Sequence, residues 1–110
     1  MYLPRHMEKI VMQLTDQYPA IMIVGPRQVG KTTMLEHLIE IEGRGREKVT
    51  LDDLSDRELA KTDPKMFFQL HKPPLLIDEI QYAPELFPYI KMMIDDRHQP
   101  GDFWMTGSQL

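Results

Sequence analysis

A short apolar run that stops at a glycine loop, with an amphipathic stretch directly behind it, leaves a chain few ways to fold. Here the run is Ala20-Ile21-Met22-Ile23-Val24 and the loop is Gly25-Pro26-Arg27-Gln28-Val29-Gly30-Lys31-Thr32. Behind it Met34, Leu35, Leu38, Ile39 and Ile41 repeat at helical spacing until Gly43. An all-apolar run of this length fits a strand covered on both faces, as in a parallel sheet. The loop satisfies G-x-x-x-x-G-K-[S/T] at every defined position, a pattern that chance yields roughly once in a few hundred chains of this length. Strand, glycine loop and helix together are the setting in which that pattern binds phosphate.

Each residue type has a physical role there. Gly25 and Gly30 permit backbone angles that a side chain forbids, so the loop can wrap closely around an anion. Amide N–H groups from about Gln28 to Thr33 then converge on it, and the helix N-terminus adds partial positive charge. Lys31 brings a full charge to the β/γ-phosphate oxygens, and the Thr32 hydroxyl is placed to hold Mg²⁺. The Arg27 side chain can turn to phosphate or to solvent.

A second acidic motif completes the picture. Behind the break at Pro73-Pro74, Leu75-Leu76-Ile77 reads as a buried strand ending at Asp78-Glu79. A carboxylate at a strand's carboxyl end lies where ligands of open α/β sheets bind. Asp78 can then reach a metal's coordination shell, directly or through water. Glu79, in the turn that leaves the strand, can accept a proton from an attacking water. Thr106 and Ser108 close a further strand, and from a position between the first and third their hydroxyls would point at the γ-phosphate or the lytic water. A serine that merely ends a strand is the alternative for Ser108. Asp52-Asp53 follow another strand at the same edge, where loop acids capping the next helix compete with a supporting role.

The remaining elements follow from periodicity and punctuation. Met7, Ile10, Val11 and Leu14 form one face of a leading helix ended by Tyr18-Pro19. Lys48–Leu51 reads as a strand, and Ser55-Asp56-Arg57-Glu58 has capping-box spacing for a helix to about Lys61. Asp63-Pro64 opens another helix, through Leu70. Leu86, Phe87, Ile90, Met93 and Ile94 mark a helix with Pro88 in its first turn. Pro100-Gly101-Asp102 is a turn before the strand Phe103–Thr106. Strands alternating with helices predict a parallel α/β sandwich, one nucleotide-binding domain with a leading helix over 1–18 and a P-loop core over 20–110.

Composition narrows the partners. With 42% hydrophobic and 27% charged residues the chain has the makeup of a soluble globular domain, and its apolar runs are too short to span a bilayer. No cysteine is present, which removes disulfides, thiolate nucleophiles and zinc-thiolate sites. A cytoplasmic location is the simplest reading. The net charge of −4 gives no attraction for nucleic acid, and the basic stretch Gly43-Arg44-Gly45-Arg46-Glu47-Lys48 reads as a solvated loop. His6, His37, His71 and His98 share no ligand spacing and read as surface residues; the nine methionines, with Trp104, Phe67 and Phe68, read as packing.

With these motifs in hand the sequence resembles the AAA-type domain of bacterial and archaeal ATP-binding proteins that carry an uncharacterised C-terminal domain. The resemblance runs the whole chain. It rests on the loop, on Leu51-Asp52-Asp53, on Leu76-Ile77-Asp78-Glu79-Ile80-Gln81, on Ala83-Pro84-Glu85-Leu86-Phe87 and on Thr106-Gly107-Ser108-Gln109. It implies sheet order 5-1-4-3-2, Lys31 and Thr32 in the nucleotide site, Asp78 on magnesium, Glu79 as catalytic base and Ser108 as a polar sensor. Similar proteins continue past the Thr-Gly-Ser motif into a fifth strand, an arginine-bearing segment and the C-terminal domain. The chain is therefore expected to be the N-terminal part of such a domain, ordered 1-4-3-2, its first strand at an edge open to another chain and its turnover slow without an arginine. Three activities remain in view: Mg²⁺-dependent ATP hydrolysis with water as nucleophile, a nucleotide-binding switch or interaction module without turnover, and phosphoryl transfer to a small molecule. Glu79 directly after Asp78 argues against the last, because that carboxylate is suited to activating water.

Overall fold

In the computed structural model, residues 5–26 and 30–108 are described. Four parallel strands form one sheet in the order β1-β4-β3-β2, where β1 is Ala20–Gly25, β2 Glu47–Thr50, β3 Leu75–Asp78 and β4 Phe103–Ser108. Five α-helices connect or precede them: α1 Arg5–Thr15, α2 Lys31–Glu42, α3 Leu54–Thr62, α4 Pro64–Leu70 and α5 Phe87–Arg97. Two 3₁₀ turns, Ile80–Tyr82 and Pro84–Leu86, carry the chain from β3 to α5. This is the expected α/β sandwich with the expected strand order.

Period-two alternation along the central strands builds both faces at once. Leu76 and Trp104 face α1 and α2, packing with Val11, Ile21, Met34, Leu35 and Leu38. Their neighbours Leu75, Ile77, Phe103 and Met105 face α3, α4 and α5, packing with Phe67, Phe68 and Ile90. A strand buried on both sides must be apolar throughout, and β3 is buried at all four positions.

β1 departs from that expectation. Ile21 is buried, but Met22 and Val24 are 44% and 53% exposed on the opposite face. β1 is the edge of the described sheet, with β4 alone beside it. Not all methionines are packing residues: besides Met22 at this edge, Met66 of α4 and Met92 of α5 are exposed. On α1 the buried positions are Val11 and Thr15, whereas Ile10 and Leu14 are exposed. Ile41 of α2 and Phe87 of α5 likewise point outward.

Helix ends follow local chemistry. Gly43 adopts φ 63° and closes α2 by donating its N–H to Ile39, a left-handed conformation that glycine enters without steric cost. The cap of α3 is Asp53 rather than Ser55: its carboxylate accepts from the N–H groups of Ser55 and Asp56, and cap and helix start lie two residues earlier. Asp63 caps α4 ahead of Pro64, as the sequence predicts. β2 begins at Glu47 and β4 runs on to Ser108, so both strands are shifted or lengthened relative to the sequence reading.

The basic stretch is not simply solvated. The Arg46 guanidinium lies 3.9 Å from the Trp104 ring centroid, and its Nε donates to Glu42 at 2.7 Å with both side chains almost wholly buried. Its Nη1 also donates to the Leu75 carbonyl at 3.4 Å. Trp104 in turn donates its indole N–H to Thr15 at 2.9 Å, so one aromatic residue joins β4 to α1 and to the α2–β2 connection. His71 is partly buried rather than a free surface residue, with Nδ1 at 2.7 Å from the Glu47 carboxylate. At the far end of the sheet Arg97 pairs with buried Asp102 at 2.7 Å, and that hydrogen bond and charge hold the guanidinium above its usual pKa.

Removing one partner of a buried ion pair leaves the other uncompensated. Arg46→Ala should therefore lower the unfolding free energy by about 3 kcal/mol, measured by urea denaturation at neutral pH. A change below experimental error would show that Glu42 finds water without cost.

Candidate functional site

All four strands point their carboxyl ends the same way, so the loops that carry chemistry gather at one edge. Register decides which side chains meet there. Gly25 lies opposite Ser108 across β1–β4, and Thr50 lies opposite Asp78 across β2–β3. α2 starts above this edge with Gly30 as its N-cap at φ 77°, and no side chain caps its first turn among the described residues. The helix N-terminus therefore presents backbone N–H groups and partial positive charge toward the strand ends.

Lys31 folds back over the glycine loop and is 2% exposed. Its ammonium donates to the carbonyls of Gly25 and Pro26 at 3.2 and 3.3 Å and to the Ser108 hydroxyl at 3.2 Å. Thr32, one residue on, donates to Asp78 Oδ1 at 3.3 Å. Thr33 is exposed in the first turn of α2. Arg27, Gln28 and Val29, whose amides the sequence reading aims at the anion, lie outside the described residues, as does Gln109.

Asp78 and Glu79 are 6% and 4% exposed. Asp78 Oδ1 accepts from Thr106 at 2.7 Å in addition to Thr32, and Oδ2 accepts from Thr50 at 2.8 Å. Glu79 sits at φ 58°, a left-handed conformation costing a non-glycine residue about 1–2 kcal/mol. Its N–H donates to the Thr106 hydroxyl at 3.0 Å, which holds the kink in place. Its side chain swings toward β4, where Oε2 accepts from Ser108 at 2.7 Å and Oε1 accepts from Gln81 at 2.8 Å.

Hydroxyl donors account for most of this arrangement, with the Gln81 amide beside them. Each of Thr32, Thr50, Thr106 and Ser108 has one O–H, and each gives it to a carboxylate. Three of these hydroxyls come from two strands, Thr50 from β2 and Thr106 and Ser108 from β4, and the fourth from the start of α2. The Asp52 carboxylate, at the end of the β2 loop, completes a group in which one oxygen each from Asp52, Asp78 and Glu79 lie within 4.8 Å of one another. Three carboxylates and a threonine hydroxyl are hard oxygen donors, the chemistry that Mg²⁺ prefers.

Lys31, Thr32, Asp78, Glu79 and Ser108 come together at this edge. Asp52 and Asp53 separate, the first to this cluster and the second to the cap of α3. Thr106 is corrected: it is wholly buried and turned to Asp78 and the Glu79 backbone, not outward with Ser108. Thr50 and Gln81 carried no signal of their own, because their importance depends on strand register and on the kink at Glu79.

Comparison with known proteins agrees with the fold. A family model described as an AAA domain matches residues 17–110. Two uncharacterized proteins, Rv2008c of Mycobacterium tuberculosis and Mb2031c of Mycobacterium bovis, are each 31% identical over 91 residues. That match covers 82% of this chain but only 20% of each relative, so the chain spans about a fifth of their length. No solved structure matches significantly. No helix among the described residues is long and apolar enough to cross a membrane.

Hydrogen bonds to charged groups are the stronger ones, and Glu79 is nearly buried. Ser108→Ala should lower the unfolding free energy by about 1–2 kcal/mol, read by urea denaturation. A wild-type midpoint would mean that water replaces the hydroxyl freely at this position.

Proposed function

We propose, from the premise that this chain belongs to the AAA-domain family, that its strand-end site binds ATP with Mg²⁺ and hydrolyses the γ-phosphate with water as nucleophile. One observation carries the reading: the first-turn residues Lys31 and Thr32 reach the β4 and β3 ends, where Thr32 touches Asp78 and Glu79 follows directly. Gly25 through Thr33 form the phosphate cradle. Lys31 exchanges its two carbonyl contacts for phosphate oxygens, since its ammonium is already at the loop and needs little movement.

Thr32 and Asp78 would hold Mg²⁺, because Thr32 keeps its oxygen lone pairs while giving its proton to Asp78. When bound, the ion supplies charge neutralisation for the phosphate oxygens. Glu79 accepts the proton of the attacking water, which forms the new P–O bond as the bond to ADP breaks. Ser108 bridges Lys31 and Glu79 and so touches both the phosphate side and the water side of the site.

A second reading has its own observation. Both oxygens of Glu79 are engaged, by Gln81 and by Ser108, which suits a nucleotide-binding switch whose base is held back from water. The protein partner such a switch would answer to, and the activity of longer relatives, extend the same proposal.

Lys31→Ala should abolish ATP binding in an equilibrium titration with Mg²⁺. Glu79→Gln should keep binding and lose turnover by about 10²–10⁴-fold, the usual contribution of a general base. Equal ATP affinity in wild type and Lys31→Ala overturns the nucleotide site altogether. Wild-type binding without turnover above buffer selects the switch.

A further inference from the structure

Asp78 is gripped from both sides by residues that belong to no phosphate-binding motif. Thr50 of β2 stands directly across from it and donates to Oδ2, while Thr106 of β4, on the other flank, donates to Oδ1. Each hydroxyl is itself held. Thr50 Oγ1 accepts from the Asp52 N–H at 3.2 Å, and Thr106 Oγ1 accepts from the Glu79 N–H at 3.0 Å. Threonine is β-branched and stiff about χ1, so a strand presents its hydroxyl in a narrow range of directions.

A carboxylate on a strand end can ordinarily rotate about two bonds. Donors on opposite oxygens, from opposite neighbouring strands, remove that freedom. Thr32 meets the second lone pair of Oδ1 at 3.3 Å, and Oδ2 keeps one lone pair beyond its bond to Thr50. We infer that Thr50 and Thr106 are positioning residues for the divalent-cation site, fixing the Asp78 carboxylate in the orientation that meets Thr32 and the ion. Thr106 has a second task, since the same oxygen anchors the left-handed turn that sends Glu79 toward Ser108. The inference rests on the proposed Mg²⁺–nucleotide reading and adds to it two residues outside the glycine loop and the acidic pair.

A purely structural threonine would also lower stability when its hydroxyl is lost, so stability alone cannot decide. The deciding readout is the gain in ATP affinity that Mg²⁺ provides, measured by titrating a fluorescent ATP analogue with Mg²⁺ and again in EDTA. Thr50→Val and Thr106→Val, assayed at temperatures where circular dichroism shows them folded, should lose about tenfold or more of that gain, as outer-shell partners of metal ligands usually do. Their affinity in EDTA should stay at the wild-type value, and Thr50→Ser and Thr106→Ser should restore the Mg²⁺ gain. Folded valine variants that keep the full gain overturn the inference while leaving the nucleotide site intact. Should Thr106→Val fail to fold, Thr50→Val decides, because Thr50 is only partly buried and valine suits a strand. A wild-type chain that binds the analogue equally with Mg²⁺ and EDTA overturns the cation site itself, and with it this role for both threonines.

Discussion

Carboxylates withdrawn from water are costly unless their lone pairs meet donors, and two nearly buried ones, Asp78 and Glu79, sit at adjacent positions at one strand end. Asp78 and Glu79 solve this with hydroxyls contributed by β2, β4 and α2, together with the Gln81 amide. Because the hydroxyl donors lie far from the carboxylates in sequence, the carboxylates are fully satisfied only when the strands stand in the order and register observed. The polar edge of the sheet is therefore tied to the apolar middle: a slip of β2 or β4 by one residue would take a threonine away from Asp78 and turn Trp104 or Val49 to the wrong face.

The same arrangement reconciles stability with chemistry. A left-handed Glu79 and a buried Lys31 are both unfavourable in isolation. Each is held by a contact at the same edge, Glu79 through Thr106 and Lys31 through the loop carbonyls and Ser108. Local strain of this kind persists where the surroundings over-determine it, and here the surroundings are the closely packed β3 and β4 with cores on both faces.

Much of this was legible in the amino-acid order. The glycine loop, the apolar strand before it and the acidic pair behind Leu75-Leu76-Ile77 point to the architecture, and the Asp63-Pro64 cap is visible as a dipeptide. Less legible were positions whose fate depends on what lies across from them. Ile10, Leu14 and Ile41 have helical periodicity yet remain exposed, because an apolar stripe shows which side of a helix turns inward and not how far the neighbouring layer extends. Arg46 looked like part of a solvated loop, and only the nearness of Glu42 and Trp104 makes it a buried stacking residue. Ser55 offered a capping box, but Asp53 caps the helix two residues earlier, taking the N–H groups of Ser55 and Asp56.

By itself, then, the sequence determined the chemical inventory: a lysine and a hydroxyl after a glycine loop, two carboxylates after an apolar strand, and alternation that commits β3 and β4 to a buried sheet. Those are properties of near neighbours in the chain, set by backbone freedom, side-chain period and charge. Tertiary structure alone decided which hydroxyl serves which carboxylate. Thr106 went inward to Asp78 and Ser108 went to Glu79 and Lys31, although they are two residues apart on one strand. The reason is geometric: hydrogen bonds need about 3 Å and a direction, and only the lateral order β1-β4-β3-β2 brings those partners within reach.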